Sequence, residues 1–202
     1  MTKPPAIDYK RLIRETNKAR RRLIRKLPGV QIATYARAIR GLSLEDAARH
    51  EAGHVLVGAL AGGIVLAAAV VQLPGGVDGI AAVWTKQTAL FAVAGAVAQG
   101  VPWISAADAL ALPSVTTPQT AVRIVKEAMD HARDLLSRHP RALRSLTAAL
   151  VRHGTLDRPR ILQILRRCRI QTRRTNSEAR QARRAVSLVL EKIKQTFSPS
   201  PR

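Results

Sequence analysis

An uncharged stretch of nineteen residues, Val55 to Leu73, constrains the fold more than any other part of the chain. It contains five alanines and three glycines, and Gln72 is its only clearly polar side chain. Its length meets the requirement of about 18 residues for a membrane span, but so many small residues give weak hydrophobicity for insertion. The Gly62-Gly63 pair with β-branched residues after it is typical of a helix-to-strand junction. We therefore expect a helix up to the glycine pair and a buried strand beyond it.

The composition favours helices for the rest of the chain. Apolar residues make up 47% of the sequence and aromatic residues only 3%, so the core must be built from Ala, Val, Leu and Ile. Ser43 and Asp46 form a capping-box pattern at the start of the first core helix. The predicted fold class is mainly α with a small β-hairpin or sheet. The predicted hairpin joins residues 64–73 to 80–84, and the predicted later helices span 87–99, 119–139, 141–152 and a short segment ending at Leu165.

The positive charge is concentrated at the two ends of the 202-residue chain. The formal net charge is +21, of which residues 41–166 carry only +3. Residues 1–40 carry +10 and residues 167–202 carry +8. The chain is therefore divided into a basic N-terminal helical arm at 1–42, a central domain at 43–166, and a basic C-terminal helix with a disordered tail at 167–202.

The basic arms bring nucleic acid or an anionic membrane surface within electrostatic reach. Solvated arms that only increase solubility explain the same charge runs. No aromatic stacking platform or helix-turn-helix pattern accompanies the charges, so sequence-specific base recognition is not expected. The candidate contact residues are the arginines and one lysine of these runs: Arg20, Arg21, Arg22, Arg25, Lys26, Arg173, Arg174, Arg183 and Arg184.

The sequence HEAGH within the first core helix is a candidate metal site. His50 and His54 are four residues apart and share one helix face, so both imidazoles can reach one metal ion. Glu51 is close enough to take a proton from a water on the metal without binding the metal itself. The structural alternative is a histidine pair that hydrogen-bonds backbone carbonyls on a buried helix face. Gly53 costs about 1 kcal/mol in mid-helix, which indicates that another element approaches the backbone there.

A catalytic zinc site needs a third protein ligand, and residue chemistry leaves several candidates. Asp78 lies in a predicted turn, where Asp is common. Asp108 lies among small apolar residues, where a carboxylate needs a partner. The remaining candidates, which lie on a strongly amphipathic helix, are Glu127, Asp130 and His131.

Several blocks in order, from about Leu44 to Leu165, resemble the peptidase domain of FtsH-type zinc metalloproteases. LEDAARHEAGHVLVGAL is similar to the active-site helix of that family and VVQLPGGVDGIAAVW to its hairpin. AGAVAQG resembles the family's AGRAAE helix, with Gln99 where Glu is usual. SAADALAL resembles the segment with the third ligand, and the helices after it resemble the closing helices. The resemblance implies an FtsH-type helical metallopeptidase domain, with Zn²⁺ on His50, His54 and Asp108 and with Glu51 as general base.

The chain also departs from that family. No Walker A motif occurs in the sequence, so no ATP is expected as a partner. A basic helix stands where the family has a membrane anchor. An oligomer is compatible with the sequence, but one organised by an ATPase motor is not expected.

Two functional hypotheses follow from these features. The first is an ATP-independent zinc metalloendopeptidase that hydrolyses a polypeptide substrate with a zinc-bound water activated by Glu51. The alternative is a catalytically inactive peptidase-like scaffold that binds nucleic acid through its basic arms. The single cysteine, Cys168, excludes an internal disulfide and favours a cytoplasmic location for either protein.

Overall fold

The computed structural model describes residues 32–33, 42–73, 76–109, 111–112 and 117–172. This part of the chain is mainly helical with a small three-stranded antiparallel sheet, which confirms the predicted fold class. In chain order the elements are β1 (Ile32–Ala33), α1 (Leu44–Leu60), β2 (Ile64–Leu73), β3 (Gly76–Trp84), α2 (Thr88–Gln99), β4 (Ile104–Ser105), α3 (Ala106–Ala109), α4 (Pro118–Arg138), α5 (Pro140–His153), β5 (Thr155–Asp157) and α6 (Arg158–Arg167).

Helix α1 begins with the predicted capping box. The Ser43 hydroxyl accepts a hydrogen bond from the Asp46 backbone N–H at 3.0 Å, and the Asp46 carboxylate accepts one from the Ser43 backbone N–H at 3.2 Å. From Ala47 to Ala59 most side chains of the helix are buried. Helices α2 and α5 and the β2–β3 hairpin pack around it. A helix of small and apolar residues on nearly every side is stable only in such a buried position.

The uncharged stretch forms a helix, a turn and a strand, as predicted. Helix α1 ends at Leu60, and Gly62 has a φ of +75°, a left-handed conformation that glycine adopts without steric cost. Strand β2 then begins at Ile64. Within the described residues, no helix combines the length and the apolar character needed to cross a bilayer.

The sheet has the strand order β3-β2-β5 and is antiparallel throughout. Its hairpin pairs Ile64 with Trp84, and a bulge interrupts the register between Val65 and Ala67. The third strand, β5, was not predicted, because only a helix cap was expected at Thr155–Asp157. The residues do both: Leu156 pairs with Ala68, and the Asp157 carboxylate caps α6 by accepting from the Arg160 N–H at 3.0 Å.

A second, two-stranded sheet lies beside α3. Strand β1 pairs in parallel with β4, so that Ile32 lies opposite Ile104 and Ala33 opposite Ser105. Strand β1 belongs to the segment that was assigned to the N-terminal arm. The rest of the predicted N-terminal arm, apart from residues 32–33 and 42, lies outside the described residues. So do all the candidate basic contact residues: Arg20, Arg21, Arg22, Arg25, Lys26, Arg173, Arg174, Arg183 and Arg184.

Candidate metal centre

Helix α1 presents two imidazoles to the same point. His50 and His54 are one helical turn apart, and their Nε2 atoms are 3.0 Å apart. The side chain of His54 is almost fully buried and that of His50 is largely buried. The two rings meet edge to face, with centroids 4.7 Å apart. The Nε2 atoms, rather than the Nδ1 atoms, are therefore the pair that can share a metal ion.

Asp108 on helix α3 faces the same point. Its Oδ2 lies 3.2 Å from Nε2 of His50, and its Oδ1 lies 3.1 Å from Nε2 of His54. The Ser105 hydroxyl donates to Oδ2 at 2.8 Å and also accepts from the Asp108 backbone N–H at 3.0 Å. Strand β4 thus fixes the start of α3 and with it the direction of the carboxylate. Among the described residues, His50, His54 and Asp108 form one group with the spacing of metal ligands.

The second nitrogen of His54 fixes its tautomer. Nδ1 of His54 lies 2.9 Å from the backbone carbonyl oxygen of Phe91 on α2. A carbonyl oxygen only accepts, so Nδ1 carries the proton and donates it. Nε2 is then the nitrogen with the lone pair, as a metal ligand requires. The Phe91 ring packs against the imidazole, with centroids 4.6 Å apart.

His50 is oriented in the same way by a side chain. Nδ1 of His50 lies 3.0 Å from Oε1 of Gln99, and Nε2 of Gln99 donates to the Asp46 backbone carbonyl at 3.2 Å. The carbonyl of Asp46 can only accept, which fixes the orientation of the amide and makes Oε1 the acceptor for His50. Gln99 was noted in the sequence only as a departure from a family pattern. Its contact with His50 spans 49 positions, and no local sequence pattern predicts a contact over that distance.

Two glycines leave the space that the site occupies. A Cβ atom on Gly95 of α2 would overlap the imidazole ring of His50. A Cβ atom on Gly53 of α1 would lie 2.5 Å from Cβ of Ala98 and 2.7 Å from the carbonyl oxygen of Ala94. The predicted close approach at Gly53 is therefore the contact between α1 and α2. Gly95 was quoted in the sequence without a role, and its signal was the small-residue pattern of α2.

Glu51 is buried between α1 and strand β3. A Cβ atom on Gly79 would lie 2.7 Å from Oε1 of Glu51. The carboxylate can therefore pack against the strand only because residue 79 is glycine. Burial raises the pKa of Glu51 to about 7, against the opposing charges of His50 and His54. A carboxylate with a pKa in this range can take up and release a proton near neutral pH.

The buried pair of His50 and Asp108 favours a proton on the imidazole. Burial alone would lower the pKa of His50, but the hydrogen bond and negative charge of Asp108 outweigh burial and raise the pKa to about 9. Burial would raise the pKa of Asp108, but its two histidine neighbours keep that pKa well below the usual range. A metal ion that binds near neutral pH therefore has to displace a proton from His50.

The donor set fits a divalent metal of the zinc type. Two tetrahedral ligands at about 2.0–2.1 Å from zinc are about 3.3 Å from each other. The Nε2 atoms of His50 and His54 are 3.0 Å apart, a few tenths of an ångström below that value. The two Asp108 oxygens face one imidazole each, with Oδ2 at 3.2 Å from His50 and Oδ1 at 3.1 Å from His54. Two imidazoles and one carboxylate leave one coordination position open, as in catalytic rather than structural zinc sites.

The other candidate ligands have structural explanations of their own. Asp78 accepts a hydrogen bond from the Gly79 backbone N–H at 2.8 Å. Glu127 forms an ion pair with Arg123 at 3.2 Å, and Asp130 forms one with Arg133 at 2.6 Å. His131 is exposed on α4. None of these residues joins the group that His50, His54 and Asp108 form in the described part of the chain.

Comparisons with known proteins do not assign the chain to a family. No family model matches the sequence, and no curated protein matches it.

Proposed function

We propose that this protein is a zinc metallopeptidase of the FtsH type that works without an ATPase. The observation that carries the proposal is the convergence of His50, His54 and Asp108, with their donor atoms 3.0–3.2 Å apart. The zinc ion, when bound, lowers the pKa of a water molecule towards about 7 and polarises a carbonyl group. His50 and His54 are pre-oriented for this task by Gln99 and by the carbonyl of Phe91.

Glu51 is the general base in this proposal. It follows the first ligand directly, is buried, and has a pKa of about 7. It takes a proton from the attacking water and delivers the proton to the departing amine, so that the peptide bond is replaced by a carboxylate and an amine. The glycine at position 79 lets the carboxylate lie against β3.

Strand β3 offers a place for the polypeptide substrate. It is one of the two edge strands of the three-stranded sheet within the described residues, and Gly79 in this strand lies against Glu51. The Ile80 side chain on the same strand is 56% exposed. An extended polypeptide that hydrogen-bonds to a free strand edge would run past the general base. This arrangement favours unfolded chains over folded domains as substrates.

The test combines metal content with cleavage of an unfolded protein such as reduced, carboxymethylated lactalbumin. Wild-type protein should contain about one zinc ion per chain, whereas the His54→Ala and Asp108→Ala variants should contain much less. The Glu51→Gln variant should keep its zinc and lose at least about 100-fold in cleavage rate. Glu127→Gln, which alters an exposed carboxylate, is the matched control and should behave as wild type.

Two results would contradict the proposal. One is wild-type protein that takes up no zinc after dialysis against the metal. The other is cleavage that persists unchanged in Glu51→Gln, because a contaminating protease would then be the source of the activity.

A further inference from the structure

A groove lined by arginines lies on the face of the molecule where α1, α2, α4 and α5 meet. Its volume is about 870 Å³, within the range of about 300–1,000 Å³ that is usual for ligand sites. Four arginines, Arg49, Arg133, Arg144 and Arg152, line the groove, against Glu45 as its one acidic lining residue. None of the candidate metal ligands belongs to its lining.

Most of this positive charge is not neutralised locally. Arg133 forms an ion pair with Asp130 at 2.6 Å. Arg49, Arg144 and Arg152 are exposed and have no acidic partner among the residues that the structure describes. Three unpaired guanidinium groups around one concave surface create a local field that attracts an anion. Their planar donor arrays suit carboxylates in particular.

The groove also has an apolar component. Val97, Leu143 and Val151 contribute to its wall, and Val151 is 40% exposed. Among the residues that the structure describes, no aromatic side chain lines the groove, so this lining lacks a platform on which nucleic-acid bases could stack. An occupant that matches both features carries acidic groups towards the arginines and apolar groups towards the valines.

The chain itself is a poor occupant. Its two ends carry net charges of +10 and +8, and residues 41–166 carry +3. Like charge therefore opposes both the docking of an arm in the groove and the docking of a second copy.

We propose that the groove binds an acidic amphipathic segment of another polypeptide, with carboxylates on the arginines and aliphatic side chains on the valines. The occupant is a partner protein that carries this segment. Its binding depends neither on zinc nor on Glu51. The proposal therefore stands or fails separately from the peptidase activity.

The experiment measures binding of a fluorescent helical peptide of Leu and Glu, about 18 residues long, with the leucines at amphipathic spacing. Fluorescence anisotropy is recorded with the full-length protein. The double variant Arg144→Glu/Arg152→Glu should bind the peptide about tenfold more weakly or worse. Arg160→Glu/Arg166→Glu, on α6 outside the groove, makes the same change in net charge and should bind within about twofold of wild type.

A second peptide and a DNA duplex separate the competing explanations. A scrambled peptide of the same composition should bind more weakly than the amphipathic one, because it cannot present leucines and glutamates on opposite faces. Equal weakening by the two double variants would overturn the proposal and assign the binding to overall charge. A loss of DNA binding in the groove variant as large as the loss of peptide binding would overturn it too. Thermal melting verifies that all variants are folded.

Discussion

At the scale of single residues, the candidate metal centre depends on groups that do not touch the metal. Gln99 and the carbonyl of Phe91 decide which nitrogen of each histidine carries the proton. Gly95 and Gly79 provide the space for His50 and Glu51. The ligand residues alone are therefore an incomplete description of the site. A chain with HExxH but without these supporting residues would place its imidazoles less well.

This dependence leads to a prediction for Gln99. Replacing it with Leu removes the acceptor for Nδ1 of His50, so zinc affinity should fall by about 10- to 100-fold while the fold is kept. The measurement is competition for zinc with a chromophoric chelator. Gln99→Glu has a side chain of the same length that still offers an oxygen acceptor to His50, so it should retain most of the zinc affinity. Equal affinities of wild type and Gln99→Leu would show that Gln99 has no positioning role.

At the scale of secondary-structure elements, the site depends on how closely α1 and α2 pack. Gly53 on α1 lies close to Ala94 and Ala98 on α2. The hydrogen bonds from Nδ1 of His50 and of His54 to residues of α2 cross the same interface. The residues at this interface are Gly and Ala, so the two helix backbones can approach each other closely. The separation of the two helices thus sets the position of both imidazoles relative to α2.

Gly53→Ala tests this packing. Alanine should gain about 1 kcal/mol from its higher helix propensity, but overpacking against a backbone carbonyl costs about 1–3 kcal/mol. The expected result is a net loss of stability, measured as a lower urea midpoint. The double variant Gly53→Ala/Ala98→Gly removes the nearer of the two contacts, so its loss of stability should be smaller than the sum of the losses of the two single variants. A Gly53→Ala variant more stable than wild type would mean that α1 and α2 can accommodate the added methyl group without overpacking.

Local patterns predicted the elements well, and the contacts between distant elements poorly. The capping box of Ser43 and Asp46 and the break at Gly62 depend on neighbouring residues, so the sequence was sufficient to predict them. The position of the candidate third ligand depends on folding, because Asp108 is brought to His50 by β4 and α3. Residue chemistry left five candidates and set Asp108 apart by its apolar surroundings, and the family resemblance favoured the same residue. Strand β5 was missed because its partner β2 is far away in sequence.

At the scale of the whole molecule, the geometry of the candidate metal centre is coupled to folding. The candidate ligands come from α1 and α3, their orienting groups come from α2, and Glu51 lies against β3. No single element holds the site without the others. Zinc that binds only the folded chain should therefore stabilise the whole domain rather than one loop.

The same coupling predicts how stability depends on pH in the metal-free protein. The pKa of His50 is raised from 6.5 to about 9, so its contribution is present below pH 6.5 and is lost as the pH rises through about 9. The pKa of Glu51 is raised from 4.5 to about 7, so its contribution is present below pH 4.5 and is lost as the pH rises through about 7. Both effects have the same sign, and the lowered pKa of Asp108 acts only at more acidic pH.

Urea unfolding in EDTA should therefore give a midpoint that falls between about pH 5 and about pH 9. Added zinc should raise the midpoint most at the alkaline end, where no proton has to be displaced from His50. The double variant His50→Gln/Glu51→Gln lacks both titrating groups and should show a flatter pH dependence in EDTA. Raised pKa values mean that the folded state binds more protons than the unfolded state, so stability has to fall as the pH rises. A metal-free midpoint that rises between about pH 5 and about pH 9 would therefore contradict the buried environment described for His50 and Glu51.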